Sequence, residues 1–163
     1  MVNDVIQLLS SSSVEITTLV LAALPISELR GAIPYAVTMG GLAWQKAYII
    51  AVIGNFLPVI PLLLFVGPVS ERLRRYDSCS RFLEWLFKRT RKKGRVVERF
   101  EALGLIFFVA IPLPVTGAWT GTIAAFVFGI RKPLALPAIF CGICIAGAIV
   151  TLATLGVISF WGI

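Results

Sequence analysis

Leu24-Pro25-Ile26-Ser27-Glu28-Leu29-Arg30-Gly31-Ala32-Ile33-Pro34 places a glutamate and an arginine between two prolines, inside a stretch from Ile16 to Leu42 that carries no other charge. A proline has no N–H to give a helix and clashes with the turn before it, so a regular helix breaks here. The apolar run before the break, Ile16 to Leu24, is about ten residues, or roughly 15 Å of helix, too short to cross a hydrocarbon core of roughly 30 Å. These lengths predict a re-entrant hairpin that enters the bilayer, turns near its middle and returns over Leu29 to Leu42. The alternative is one kinked span from Ile16 to Leu42.

Further along the chain, the same order recurs. Pro112-Leu113-Pro114-Val115-Thr116-Gly117-Ala118-Trp119-Thr120-Gly121 follows a short apolar run, Ala102 to Ile111, and precedes a second, Ala118 to Ile130. Each hairpin is followed by a basic spot, Lys46 in one case and Arg131-Lys132 in the other, and then by a long uncharged stretch, Ala47 to Val69 or Pro133 to Ile163. Weak internal symmetry of this kind marks transporters built from repeats. The expected fold is an all-α integral membrane protein with an inverted repeat, each half a re-entrant helical hairpin plus a transmembrane helix. It forms one membrane domain over residues 1–163, with repeats at 14–69 and 102–160 joined by a connector at 70–101.

Composition points the same way. Of 163 residues, 58% are hydrophobic and 14% charged, and the mean hydropathy is +0.94, far from a soluble domain. The N-terminal Met1-Val2-Asn3-Asp4 offers no basic leader and no cleavage site, so the apolar segments are expected to stay in the mature chain. With no histidine and three cysteines, metal sites, a disulfide framework and most enzyme chemistry are disfavoured, and no cofactor is expected. Cys141-Gly142-Ile143-Cys144 has redox spacing, but it lies among small residues of an apolar helix, where close packing is its expected role.

The net charge of +7 is local rather than general, because eleven of fifteen basic residues lie between Arg72 and Arg99. A basic loop between apolar spans belongs in the cytoplasm, and no nucleic-acid partner is expected. Within it, Phe82, Leu83 and Leu86 share one helical face among Arg81, Lys88 and Arg89, which predicts an amphipathic helix on anionic headgroups of the inner leaflet. The first hairpin then enters from outside and the second from the cytoplasm, and the expected location is the plasma membrane.

An ionisable group at membrane depth costs at least about 2.5 kcal/mol and marks a functional site. Glu28 is the expected proton carrier, since a carboxyl removed from water favours its neutral form, and Arg30 is its nearest partner. Ser27 and Thr116 are placed to cap helices beginning near Glu28 and Gly117, and an uncovered helix start attracts anions. Trp119, Thr120 and the lone amide Asn55 complete the expected substrate-binding set with Arg30, Ser27, Thr116 and Gly117.

The two proline motifs resemble those of the small multidrug export family, over about residues 14–160, and that family is similar to the DedA superfamily. The resemblance implies two opposed re-entrant hairpins and transport of polyprenyl phosphate lipids through membrane-embedded acidic residues and arginines. Glu28 matches the acidic residue. The DedA pattern sets its arginines in the second hairpin, where this chain has none. The expected function is proton-coupled translocation of an anionic lipid phosphate by a homodimer among membrane lipids. The alternatives are export of small cationic or amphipathic compounds, and a lipid scramblase or non-transporting scaffold.

Overall fold

A computed structural model describes residues 14–65, 95–112 and 116–161 of the chain, and all the regular structure among them is helical. In chain order, α1 is Val14–Ala23, α2 Glu28–Pro34, α3 Trp44–Phe56, α4 Arg95–Ala110, α5 Ala118–Val127 and α6 Lys132–Trp161. A π-helical turn, Tyr35–Met39, follows α2, and residues 59–65 extend α3 beyond a turn at Leu57 and Pro58. The expected amphipathic helix, with Phe82, Leu83 and Leu86, lies outside the described residues.

Two stretches, Trp44–Phe65 and Lys132–Phe160, are long and apolar enough to cross a membrane. Both keep much of their apolar surface exposed. The surface elsewhere agrees. Ile16, Val20 and Leu24 form an exposed stripe at helical spacing on α1, Phe100, Leu103, Phe107 and Ile111 form another from α4, and Ile49, Ile53 and Leu57 a third from α3. Water would expose polar side chains at such positions; lipid accepts apolar ones.

The interior is made of small and β-branched residues, with Ala22, Ala32, Ala36, Ala47 and Ala51 all fully buried. Without a hydrophobic drive between helices in lipid, close backbone approach takes its place. The chain divides into two compact units: residues up to Leu57 with those from Cys144 onward, and Pro58–Ile143. In the first unit the second half of α6 packs on α3.

In the first unit α1 and α2 fold back on each other. Gly40, just past the π turn, stands against Val14 at the start of α1, so close that a Cβ at Gly40 would lie 2.1 Å from the Val14 side chain. The pair is therefore a hairpin and not a single kinked helix. An ion pair between Glu15 and Lys46 ties the start of α1 to the start of α3. At Gly147, α6 crosses α3 against the Tyr48 ring, whose hydroxyl donates to the Cys144 carbonyl over 3.0 Å. Close packing thus accounts for the small residues after the Cys-x-x-Cys pattern.

The second unit repeats the device. Val109 is 2% exposed and wedged between two glycines, since a Cβ on Gly121 of α5 would approach its side chain to 2.4 Å and one on Gly142 of α6 to 2.6 Å. Thus α4 packs against both α5 and α6 at Val109.

Candidate functional site

The turn of the first hairpin is closed by main-chain hydrogen bonds from Glu28 N–H to the Leu24 carbonyl (3.1 Å) and from Gly31 N–H to the Ser27 carbonyl (2.9 Å). Its outer face is apolar and open: Leu24 is 47% and Ile26 93% exposed. Its inner face holds Glu28, 5% exposed, at a backbone φ of +44°, the one left-handed non-glycine residue among those described. For an L-amino acid that conformation costs about 1–2 kcal/mol. Strain of this sort persists where the surroundings over-determine it, and it concentrates at sites of function.

Arg30 Nη2 lies 3.7 Å from Glu28 Oε2. Two residues apart on a regular helix, the side chains would diverge; the left-handed φ at Glu28 re-aims its side chain. The pair is asymmetric, with side-chain exposures of 7% for Glu28 and 27% for Arg30.

Asn55 occupies the inner face of α3, which packs on both α1 and α2. It is 1% exposed, and its Oδ1 is buried with no hydrogen-bond partner among the described residues. Its height along the hairpin follows from two contacts. Gly54, the residue before it, presses on Leu19 and Ala22 of α1. The Ser27 hydroxyl donates to the Leu21 carbonyl. Ser27 and Gly54 therefore both rest on one helical turn of α1, so the strained turn and the buried amide share a level of the first unit. Nothing in the sequence distinguished Asn55 from an ordinary packing amide; its lack of a partner emerges only with the fold.

The cap expected at Ser27 is absent. Ser27 precedes α2 but makes no side-chain cap; its hydroxyl turns back to α1 and donates to the Leu21 carbonyl. Thr116 does the same in the second unit, donating to the Ile111 carbonyl over 2.6 Å, and the residue preceding α5 is Gly117, in an extended conformation with no side chain to cap. A cap needs the hydroxyl oxygen as an acceptor, whereas these hydroxyls serve as donors to a carbonyl at the end of the preceding helix. Thr120 donates to the Gly117 carbonyl (3.3 Å) and Thr122 to the Ala118 carbonyl (2.7 Å). Trp119 is half-buried on α5.

Glu28, Arg30, Ser27 and Asn55 thus belong to the first unit, and Thr116, Gly117, Trp119 and Thr120 to the second. In both units the hydroxyl protons are committed to main-chain carbonyls. In the first unit the Asn55 oxygen is an acceptor that no described residue donates to.

Residues 28–149, about three quarters of the chain, match the family model described as "Putative small multi-drug export protein". The matched segment takes in Glu28, Arg30, Asn55, Thr116 and Trp119. No curated protein and no solved structure matches the chain. With two helices able to span a membrane and a family match over most of its length, the chain belongs to the small multi-drug export protein family.

Proposed function

We propose that this protein exports small cationic amphipathic compounds across the plasma membrane in exchange for protons, with Glu28 carrying proton and cation in turn. The observation that carries this reading is the chemistry of the buried groups: a buried carboxylate at Glu28 and a buried carbonyl oxygen at Asn55 that no described residue donates to, while the Ser27, Thr116, Thr120 and Thr122 protons go to main-chain carbonyls. Such a site offers acceptors, and an ammonium group brings donors and positive charge. The family description, multi-drug export, is compatible with export of such compounds.

Depth supports a transport role. From Glu15 to Leu24, and from Lys46 to Asn55, the chain rises nine helical residues, about 14 Å at 1.5 Å each. If the Glu15–Lys46 pair marks the membrane surface, Glu28 and Asn55 lie near the middle of a core roughly 30 Å thick. Both hairpins are then re-entrant. The basic connector at 70–101 is cytoplasmic by the positive-inside rule. A chain this short encloses a pathway most simply as a homodimer.

Arg30 is the competitor for Glu28. While the carboxylate is charged the guanidinium neutralises it in part; a cation arriving at Glu28 must displace Arg30, whose partial exposure gives it somewhere to go. The same arginine favours a second reading, proton-coupled translocation of an anionic lipid phosphate, in which Arg30 holds the phosphate.

Proteoliposomes separate the two. Ethidium efflux driven by a pH gradient, lost in Glu28→Gln and retained or raised in Arg30→Ala, supports cation export. Movement of a fluorescent polyprenyl phosphate lost in both variants, with no ethidium transport by wild type, would replace it with the lipid-phosphate reading.

A further inference from the structure

The geometry points to Asn55 as the residue that selects substrate cations bearing an N–H over quaternary cations that bear none. This inference rests on the cation reading of the same site and adds what that reading leaves open, the class of cation preferred.

Glu28 alone cannot discriminate between them. A carboxylate attracts a tertiary ammonium and a quaternary one of the same size with nearly the same Coulomb energy, since both are unit charges at similar distance. Discrimination needs a group that is satisfied by a donor and by nothing else. Asn55 Oδ1 is such a group: its residue is 1% exposed, the oxygen is sealed from solvent, and no described residue donates to it. A buried carbonyl oxygen without a donor is uncommon, and the cost of leaving it so is of the kind that a bound N–H would recover.

Its placement suits the task. Gly54 holds this part of α3 against Leu19 and Ala22, backbone to backbone, so the amide is fixed to a rigid crossing. The turn carrying Glu28 is tied by Ser27 to Leu21 on the same turn of α1. Carboxylate and amide thus come from two different helices that meet at one level. A protonated amine neutralises Glu28 and donates to Asn55; a quaternary ion neutralises Glu28 and leaves Asn55 as it was.

The test needs no variant to begin. The detergent-purified full chain is titrated near neutral pH with a matched pair, N,N-dimethylphenethylammonium and N,N,N-trimethylphenethylammonium, and the heat of binding is measured. Wild type is expected to bind the tertiary ion about tenfold more tightly, the scale of one buried hydrogen bond made or missed. In Asn55→Leu, provided it elutes as a single species, the tertiary ion falls to the level of the quaternary. Equal wild-type affinities, with both lost in Glu28→Gln, would overturn the selectivity while the cation reading stands. A preference that survives in folded Asn55→Leu would overturn it too. If wild type binds neither ion, the selectivity and the cation reading fall together.

Discussion

A Cβ on Gly54 would lie 2.5 Å from the carbonyl oxygen of Leu19 and 3.1 Å from its Cα, so α3 and α1 meet there backbone to backbone. Neither atom can move aside as the end of a side chain could. This crossing fixes the height of Asn55 against the first hairpin, and the proposed site depends on it.

Gly54→Ala is therefore expected to destabilise the protein by about 1–3 kcal/mol, the usual cost of an overpacked contact, with Gly142→Ala, whose Cβ would meet Val109 at 2.6 Å, in the same range. Gly104 on α4 has nothing within 4 Å of its added Cβ, so Gly104→Ala should stabilise by up to about 1 kcal/mol through helix propensity. Thermal melting of the three variants in one detergent checks the order.

Asn55→Leu removes a buried acceptor that lacks a donor and replaces it with an apolar side chain of the same branched shape, though a larger one. The variant should melt higher than wild type, by about 1 kcal/mol in stability, although its handling of N–H cations is impaired. A lower melting temperature would mean that the amide contributes to packing in the resting protein.

Glu28 sits at φ +44°, a conformation in which asparagine is among the most tolerated non-glycine residues. Glu28→Asn should keep the fold, with a melting temperature near that of wild type, while proton-coupled transport is abolished. Transport that survived in this variant would show that no proton is carried at position 28.

Ser27→Ala and Thr116→Ala each remove one hydroxyl donor to a hairpin carbonyl. Each should cost about 0.5–1.5 kcal/mol in stability and leave cation affinity unaltered within about twofold. A selective loss of polyprenyl phosphate binding, with stability intact, would assign these hydroxyls to a phosphate.

The helices and their breaks were legible in the sequence because hydropathy and proline act locally: the short runs beside Pro25 and Pro112 became paired helices, and the two long uncharged stretches became the helices able to span a membrane. Three features were not legible. Ser27 and Thr116 stand where caps stand, but whether such a hydroxyl serves the helix after it or the one before it depends on how the turn folds back. The left-handed backbone at Glu28 and the missing partner of Asn55 are likewise products of the tertiary arrangement. The role of Gly54 could have been suspected from a glycine beside an amide in an apolar span, though not its contact with Leu19. The packing of α6 on α3 at Gly147 is a long-range choice that no local pattern encodes.

Proton movement caused by substrate tests the exchange at Glu28 most directly. Proteoliposomes loaded with the pH-sensitive dye pyranine, in symmetric buffer, are given ethidium on the outside. Exchange of cation inward for proton outward should raise the luminal pH with wild type and leave it unchanged with Glu28→Gln. A luminal pH that does not respond to ethidium in wild type, or responds equally in Glu28→Gln, would contradict the account.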